Sequence, residues 1–358
     1  MILQANTPEE VQDIVRNNRC LLPRGGGSKP ALSAMTTRGN EVILDLSALS
    51  GVLEYEPEEY TFTALAGTPV KEVTRVLAEH GQYLPFDPLL IEQGATLGGT
   101  VAAGTSGPGR YRYGGVRDFL LGIRFVDGEG ELISGGGKVV KNAAGFDLPK
   151  LMVGSLGQYG VFVEVTFKVF PKPERFATLK VICPSLDDAL HSMVRLTTSP
   201  LELHALELEP PDTLWVRIGG LERALADRLD VLRAFLGQGA TLDGTEEVGF
   251  WRAARELEWV PEGWALVKVP ITQKRIPRLE GQLATHDCRR RYGVGGNVAW
   301  VAWSGDLAEL DSFLVQLELP GLVLLGWSER PLLGCSLDNA FARRVKAALD
   351  PAGRFLER

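Results

Sequence analysis

Two glycine-rich stretches carry the residues whose types and spacing point to chemistry. The first is 24–28 (R-G-G-G-S), which follows a short apolar run, and the second is 94–104 (G-A-T-L-G-G-T-V-A-A-G). Successive glycines accept positive φ angles and can turn several backbone N–H groups inward, which makes a concave anion site. The second stretch has almost no side-chain bulk, so its main chain can lie directly against a flat ligand. Together they predict a site for a dinucleotide that carries an aromatic ring system, with FAD as the natural candidate.

Other phosphate-binding motifs do not fit the first stretch. A Walker loop is excluded because Lys29 is followed by Pro30 and the required spacing is absent. A Rossmann fingerprint is excluded because Pro30 and Leu32 do not continue as a glycine-punctuated helix. Taken alone, R-G-G-G-S is typical of a surface turn. Tight packing of a loop against a strand explains one glycine pair of the second stretch, but not so long a run without bulk.

Length, composition and charge describe a globular protein of two domains. The chain has 358 residues, of which 45% are hydrophobic and 23% charged, and its net charge is −7. This charge argues against a protein that holds nucleic acid by bulk electrostatics. Four scattered cysteines with no C-x-x-C pair exclude an iron–sulfur cluster or thiolate zinc site built from this chain alone, and they fit a reducing cytosol. With no signal-peptide pattern and no run of about 20 apolar residues, we expect a cytoplasmic protein that reaches a membrane only through partners.

The mixture of predicted strands and helices in the first part of the chain indicates an α+β or α/β domain, and we expect an α+β fold for the protein. The sequence T-P-E-E at 7–10 predicts a capped helix start in which Glu10 completes a capping box. A second helix is expected from Thr68 to near Gly81, and Asp127-Gly128 predicts a hairpin turn. The strands predicted for the first part of the chain are 41–46, 60–65, 120–126, 131–134 and 161–169.

Composition changes after Pro173, and this change predicts the domain boundaries. All seven tryptophans lie beyond it, and strands and helices then alternate in two similar successions, 178–236 and 264–325, which suggests two related halves. Trp251, Trp259 and Trp264 are candidates either for a subunit interface or for the core of this second domain. We expect a cofactor-binding domain at 1–173, a cap-like α/β domain at 174–330, and a C-terminal segment at 331–358 whose helix returns to the first domain.

Five motifs, in this order, resemble those of a known flavoprotein family. They are R-G-G-G-S at 24–28, G-A-T-L-G-G-T-V-A-A at 94–103, R-Y-G-G-V-R-D at 112–118, K-N-A-A-G-F-D-L at 141–148 and G-S-L-G-Q-Y-G-V at 154–161. The set resembles the FAD-binding domain of the vanillyl-alcohol-oxidase/p-cresol-methylhydroxylase (PCMH) class, and it is most similar to the E-subunit family of bacterial glycolate oxidases. The resemblance covers about residues 7–172 and returns at D-P-A-G (350–353), where the N-P-G that ends the family pattern is missing.

The resemblance implies that FAD is bound noncovalently. Ser28 stands where some branches of the family carry a histidine that bonds to the flavin, and serine cannot form that bond. The backbone N–H groups of 25–28 would hold the diphosphate, the stretch 94–107 would line the flavin and the ribityl chain, and Gly160 with Val161 would close over the adenine or the ring. The cofactor-binding residues implied are Arg24, Gly25, Gly26, Gly27, Ser28, Gly94, Ala95, Thr96, Gly98, Gly99, Ala102, Ala103, Thr105, Ser106, Gly107, Tyr113, Gly160 and Val161.

Two further groups of polar residues have two interpretations each. The first group is the arginines 110, 112 and 117 with the tyrosines 111 and 113 between them, which either attract a carboxylate or cofactor phosphate or form a solvated loop. The second group is Lys141, Asn142 and Asp147, which either hydrogen-bond the flavin edge or fold the loop locally.

For activity, the resemblance implies the FAD-binding subunit of a multi-subunit glycolate oxidase that converts glycolate to glyoxylate. Electrons would pass through the flavin to an iron–sulfur subunit, and substrate oxidation would belong mainly to the related D subunit. No catalytic residue and no metal site is identified. The four histidines stand singly, and 292–299 (Y-G-V-G-G-N-V-A) lacks the histidines and the aspartate of the H-x-G-D-G-N-x-H stretch that the D subunit's relatives carry.

Two other functions remain open at this point. One is a self-sufficient FAD-dependent dehydrogenase of a small 2-hydroxy acid, with a base that the sequence does not reveal. The other is a non-catalytic assembly subunit that keeps the fold but has lost FAD.

Overall fold

The computed structural model describes residues 1–33, 41–137, 147–335 and 340–357. The chain divides into two compact units. Unit 1 comprises Met1–Ser106, Gly114–Pro171 and Leu337–Arg358, and unit 2 comprises Gly107–Tyr113 and Lys172–Ser336. Helices combined with separate, mostly antiparallel sheets confirm the predicted α+β fold. Within the described ranges, no helix combines the length and the apolar character that a bilayer crossing requires.

The strands, in chain order, are β1 (Ile2–Gln4), β2 (Leu21–Arg24), β3 (Val42–Asp45), β4 (Val52–Glu56), β5 (Thr61–Leu65), β6 (Gln82–Tyr83), β7 (Leu120–Val126), β8 (Leu132–Gly136), β9 (Val161–Lys168), β10 (Phe170–Pro171), β11 (Arg175–Ile182), β12 (Ala205–Glu209), β13 (Thr213–Gly220), β14 (Ala240–Leu242), β15 (Ala265–Pro270), β16 (Cys288–Gly293), β17 (Val298–Trp303), β18 (Pro320–Leu325) and β19 (Leu332–Gly334). The helices are α1 (Pro8–Asn17), α2 (Pro30–Ser33), α3 (Val70–Ala78), α4 (Leu97–Ala103), α5 (Arg110–Tyr113), α6 (Val116–Phe119), α7 (Leu148–Met152), α8 (Leu186–Thr197), α9 (Glu222–Leu236), α10 (Gly244–Arg255), α11 (Ile276–Leu283), α12 (Leu307–Gln316) and α13 (Ala340–Leu349).

Unit 1 is built on a small parallel sheet and a larger antiparallel one. The parallel sheet has the order β1-β3-β2, and the antiparallel sheet has the order β4-β5-β9-β7-β8. Strand β9 (V-F-V-E-V-T-F-K) has buried apolar residues along most of its length, as expected of a strand in the interior of a sheet. The central parallel strand β3 places the end of β2, at Arg24, opposite Asp45.

Helix α1 begins where the sequence predicts, with one difference at its cap. The Thr7 hydroxyl accepts a hydrogen bond from the Glu10 backbone N–H at 3.2 Å, and Val11 and Val15 are fully buried. The Glu10 carboxylate, however, accepts from the Asn6 N–H at 2.7 Å. The reciprocal bond of the predicted capping box is therefore displaced by one residue, from the N-cap to the residue before it.

Unit 2 contains one antiparallel sheet with an internal symmetry. Its order is β14-β11-β13-β12-β16-β17-β15-β18-β19. The succession β11-α8-β12-β13-α9-β14 is matched by β15-α11-β16-β17-α12-β18, and the two sets of strands meet in opposite order at β12 and β16. Two β-α-β-β-α-β halves therefore share one sheet, which agrees with the two successions seen in the sequence.

One of the candidate interface tryptophans is part of this unit's own core. Trp251 on α10 is 1% exposed, and its indole N–H donates to the Thr178 hydroxyl at 2.8 Å. It packs in a buried cluster with Ala205 and Trp215. Its role is thus structural, because a fully buried side chain cannot contact a partner.

The C-terminal segment completes the core of unit 1. Phe355 is 2% exposed and packs in one cluster with residues of α1, β2 and β3. The carboxylate of Asp350, which is fully buried, accepts from Lys346 Nζ at 2.6 Å and from the backbone N–H groups of Arg354 and Phe355. Lys346 Nζ also donates to the carbonyl oxygen of Gln158 at 2.9 Å. This buried ion pair fixes the segment against the rest of unit 1.

We expect Asp350→Ala to destabilise unit 1 by about 3 kcal/mol, because it leaves the Lys346 ammonium without its carboxylate and two N–H groups without an acceptor. The measurement is urea unfolding followed by far-ultraviolet circular dichroism. Tryptophan fluorescence serves as an internal reference for unit 2, since all seven tryptophans lie there.

The matched control is Asp230→Ala, which removes an exposed ion pair with Arg233 on α9 and should change stability by less than about 0.5 kcal/mol. Equal effects of the two substitutions would contradict the role given to the Asp350 clamp.

Candidate functional site

The two glycine-rich stretches lie directly against each other in unit 1. A Cβ atom built on Gly26 would stand 1.8 Å from the carbonyl oxygen of Gly94, and one built on Gly25 would stand 2.3 Å from the Thr96 hydroxyl oxygen. Both distances are far below van der Waals contact. The approach of these two main chains therefore requires glycine at both positions.

The first stretch leaves a row of backbone donors unused. Gly27 adopts a φ of +69°, with open space where a side chain would be. In the part of the chain that the structure describes, the N–H groups of 25–28 donate to no other group. Consecutive free N–H groups around a left-handed residue form a concave anion-binding surface.

The second stretch forms the short helix α4 and packs it tightly against the end of β5. Thr96 is the N-cap and accepts from the Gly99 N–H at 3.2 Å. The Gly98 N–H donates to the Ala66 carbonyl at 2.7 Å, and a Cβ on Gly98 would lie 2.9 Å from the Ala66 methyl. The small residues thus bring helix and strand into close contact and leave the other side of α4 without bulk.

The turn at 154–160 holds the other end of α4. The N–H groups of Gly154 and Leu156 donate to the carbonyls of Val101 and Ala102, each at 2.9 Å. Carbonyls at the end of a helix have no partner within it. This turn satisfies them and places Gly157 and Gly160 beside the glycine stretches.

Together these elements enclose a cleft of about 730 Å³, open solvent at its mouth included. This is within the range of small-molecule and cofactor sites. The residues that line the cleft are Pro23, Arg24, Gly25, Gly26, Gly27, Ser28, Lys29, Leu32, Ser33, Leu46, Ala66, Thr96, Gly98, Gly99, Ala102, Ala103, Leu156, Gly157, Gly160 and Phe162.

The lining of the cleft is cationic. Its ionisable residues are Arg24, whose guanidinium lies 3.5 Å from the Asp45 carboxylate, and Lys29, which is 5% exposed. Burial lowers the pKa of Lys29 to about 8. Its Nζ contacts the Ser28 hydroxyl oxygen at 3.4 Å, and no carboxylate of the described residues pairs with it. A buried cation without a counter-ion is costly, which marks this wall as suited to an anion.

Eleven of the residues implied as cofactor contacts line this cleft. They are Arg24, Gly25, Gly26, Gly27, Ser28, Thr96, Gly98, Gly99, Ala102, Ala103 and Gly160.

The other implied residues of unit 1 lie beside the cleft. Gly94 lies against the first stretch at Gly26, and Ala95 is fully buried. The Ser106 hydroxyl accepts from the Val116 N–H at 2.9 Å and fixes the start of α6. The Thr105 hydroxyl is buried and has no partner among the described residues. Val161 packs in the hydrophobic cluster beneath β9.

Gly107 and Tyr113 belong to unit 2 and lie outside the cleft lining. The Tyr113 hydroxyl is 3.0 Å from His204 Nε2. Burial, and then the charges of Arg112, Arg217 and Arg228, lower the pKa of His204 to about 3. His204 therefore stays neutral at physiological pH.

The polar residues with two interpretations, 110–117 and Lys141 with Asn142 and Asp147, make mostly structural contacts in the described part of the chain. Asp147 is the N-cap of α7 and accepts from the Lys150 N–H at 3.2 Å, whereas Lys141 and Asn142 lie outside the described residues. The Arg112 guanidinium pairs with Glu202 at 3.5 Å, and Arg117 Nε donates to the Lys150 carbonyl.

The stretch 292–299 is part of the core of unit 2. The Tyr292 side chain is fully buried and its hydroxyl donates to Glu280, and Gly295 adopts a left-handed φ of +62° in a short turn. Across the described residues, no group of histidine, cysteine and carboxylate side chains has the arrangement of a metal site.

Sequence reasoning missed several lining residues. In the sequence, Lys29 draws notice only because it fails the Walker spacing, and no pattern assigns a cofactor role to Leu46, Ala66, Gly157 or Phe162. Phe162 could have been found from strand periodicity: it shares the face of Gly160, whereas Val161 faces the opposite side. Leu46 and Ala66 carry no such local signal, because they reach the cleft only through sheet pairing.

Residues 1–136 match the family model described as an FAD binding domain. The chain is 35% identical to the glycolate oxidase subunit GlcE of Escherichia coli over 252 residues, which are 70% of this chain and 67% of that protein. It is 31% identical to the glycolate oxidase subunit GlcD of Bacillus subtilis over 55% of this chain, and 31% identical to the mitochondrial D-lactate dehydrogenase (cytochrome) 1 of Saccharomyces cerevisiae over 58%. The matched regions span only 41% and 36% of these last two proteins.

Among solved structures, an alkyldihydroxyacetonephosphate synthase is similar with a TM-score of 0.73 and 16% sequence identity. The match covers 98% of this chain and 75% of that one. At this identity the likeness concerns the fold alone.

We expect Gly26→Ala to reduce the bound FAD per chain to less than about a tenth of the wild-type content. A methyl group 1.8 Å from the Gly94 carbonyl oxygen forces the two stretches apart. The expected loss of binding free energy is well above about 1.4 kcal/mol, because that amount lowers the affinity only tenfold. The measurement is the flavin absorbance of the purified protein relative to its protein concentration.

Gly281→Ala on α11 is the matched control, because a Cβ there meets open space. It should leave the flavin content unchanged, and helix propensity favours alanine at this position. Wild-type flavin content in Gly26→Ala would contradict the required main-chain approach.

Proposed function

Because the chain belongs to the FAD-binding oxidoreductase family that includes the glycolate oxidase subunit GlcE, we propose that it is the E-type, FAD-binding subunit of a multi-subunit glycolate oxidase. In this proposal the complex oxidises glycolate to glyoxylate. The other subunits are a related FAD-binding D-type subunit and an iron–sulfur subunit that takes up the electrons. Any association with a membrane is through these partners.

The observation that carries the proposal is the contact between the two glycine-rich stretches at the wall of one cleft. The distances at Gly25 and Gly26 leave no room for side chains, so the site is formed by main chain. A main-chain wall with free N–H groups at one end suits a ligand that is anionic at its centre and flat at one side. FAD has this form.

Each part of the cleft has a role toward FAD in this proposal. The N–H groups of 25–28 donate to the diphosphate, and the bulk-free side of α4, at Gly99 and Ala102, provides the surface for the flavin and the ribityl chain. Ser28 has no imidazole to bond to the flavin, so the cofactor is held noncovalently. When bound, FAD supplies an acceptor for the two electrons released when a hydroxy acid is oxidised.

Oxidation of a 2-hydroxy acid also requires a base for the hydroxyl proton. His204 does not suit the role of a base that takes up and releases a proton near pH 7, because its pKa of about 3 lies far below that pH. We therefore propose that glycolate is oxidised mainly at the related D-type subunit, and that this chain supports electron transfer or assembly around its own FAD.

A second candidate is a self-sufficient 2-hydroxy-acid dehydrogenase, and one observation favours it. Lys268 on β15 is partly buried, and desolvation, followed by the charge of Arg110, lowers its pKa to about 8. About a tenth of the molecules of a lysine with this pKa are unprotonated at pH 7, and this fraction can accept a proton. The D-lactate dehydrogenases among the relatives make this alternative worth testing.

We expect the purified chain to carry visible flavin absorbance and to release free FAD into the supernatant when it is denatured with acid. Flavin that remains with the precipitated polypeptide would indicate covalent attachment and contradict the role of Ser28. A colourless protein that still co-purifies with its partner subunits would support instead the assembly subunit without a cofactor.

The same sample distinguishes the two catalytic candidates. Anaerobic addition of glycolate or D-lactate should leave the flavin of the isolated chain oxidised, and glycolate should bleach it only in the assembled complex. Rapid bleaching of the isolated chain that Lys268→Met abolishes would overturn the proposal in favour of a self-sufficient dehydrogenase.

A further inference from the structure

One charged side chain of the cleft is left without a counter-ion. Lys29 follows the first glycine-rich stretch directly, lines the cleft and is 5% exposed. A lysine buried to this degree is normally paired with a carboxylate, since desolvation of an unpaired charge is costly. Its polar contact is the neutral Ser28 hydroxyl at 3.4 Å.

The elements that line the cleft together with Lys29 offer it no compensating charge among the described residues. Strand β2 contributes Arg24, which is already paired with Asp45 of β3 at 3.5 Å. Helix α4 (L-G-G-T-V-A-A) has no ionisable side chain. The 154–160 turn has Tyr159, and burial raises the pKa of its phenol, which therefore stays neutral. Lys29, a lining residue of the cleft, thus carries a buried positive charge that no carboxylate of the described residues neutralises.

We propose that Lys29 is the charged anchor of the FAD diphosphate, and that its ammonium complements the hydrogen bonds donated by the main chain of 25–28. This inference rests on the proposed placement of FAD in the cleft. The N–H groups give direction but little net charge, whereas a diphosphate is doubly negative at neutral pH. A single buried ammonium beside it forms a charge-assisted contact of the kind that lysine makes with phosphates.

The anchor couples cofactor binding to a proton. In the free cleft, burial lowers the pKa of Lys29 to about 8. A bound diphosphate favours the protonated form and raises this pKa. At pH 8, about half of the chains therefore take up a proton when they bind, and the affinity for the diphosphate falls as the pH rises above about 8. At pH 6 Lys29 is already protonated, so binding takes up no proton there.

The test is calorimetric titration of the flavin-free chain with three ligands. FAD carries both diphosphate and flavin, ADP carries the diphosphate without the flavin, and riboflavin carries the flavin without the diphosphate. Lys29→Met keeps the length and apolar stem of the side chain and removes the charge. Lys71→Met is the matched control, because Lys71 is exposed and pairs with Glu92 on the surface.

We expect Lys29→Met to lower the affinities for FAD and for ADP by a similar factor, about 10 to 100. The affinity for riboflavin should be unchanged. Titrations in two buffers of different ionisation enthalpy should reveal proton uptake at pH 8 in the wild type and in Lys71→Met, and none in Lys29→Met. The thermal midpoint of flavin-free Lys29→Met should rise, because a buried unpaired charge is removed. Higher stability with lower affinity excludes misfolding as the cause.

Three results would overturn the inference or its premise. Unchanged FAD and ADP affinities in Lys29→Met would refute the anchor while leaving the FAD site in place. Weakened riboflavin binding with unchanged ADP binding would assign the lysine to the flavin and refute its role at the diphosphate. A wild-type chain that binds neither FAD nor ADP would refute the proposed placement itself, and the anchor with it.

Discussion

The site depends on the approach of two main chains that only glycine permits. At Gly26 and Gly94 the separation is so short that a single added methyl group has no place. Most ligand sites are shaped by side chains, which can change rotamer when a neighbour changes. Here the wall is main chain held by sheet pairing on one side and by the N-cap of α4 on the other. Its shape is therefore set by the fold and allows little local adjustment.

Two buried cations of the protein have different surroundings, and the contrast distinguishes a site from a core. In unit 2, the buried Arg217 guanidinium is 2.7 Å from the Glu247 carboxylate, so that each neutralises the other. In unit 1, Lys29 is buried to a similar degree but none of the described carboxylates is its partner. The Arg217–Glu247 pair is a neutral part of the fold. The Lys29 ammonium, in contrast, is a buried positive charge that an anionic ligand can neutralise. A buried charge without a counter-ion is typical of functional positions.

The features that could be predicted from the sequence are those set by residues close together in the chain. The start of α1 follows from Thr7 and Pro8, the strand β7 from its apolar run, and the contact of the glycine stretches from their lack of bulk. The outcome at Lys29 could not be predicted, because its burial results from elements far apart in the chain. Glu10 shows the same limit at small scale: the pattern predicts a bond to the Thr7 N–H, and the carboxylate reaches the Asn6 N–H instead. Periodicity alone would have chosen Phe162 over Val161 as a lining residue.

The contribution of residues 340–357 to unit 1 affects how the protein is made. Phe355 packs in one core with Val11, Leu21 and Leu44. The ribosome, however, synthesises Phe355 only after all of unit 2 has been synthesised. The amino-terminal part of unit 1 therefore lacks part of its core while unit 2 folds, although domains generally fold in the order of synthesis. A premature stop near residue 340 would thus harm the portion of the protein translated first, and its effect would appear as failed cofactor retention.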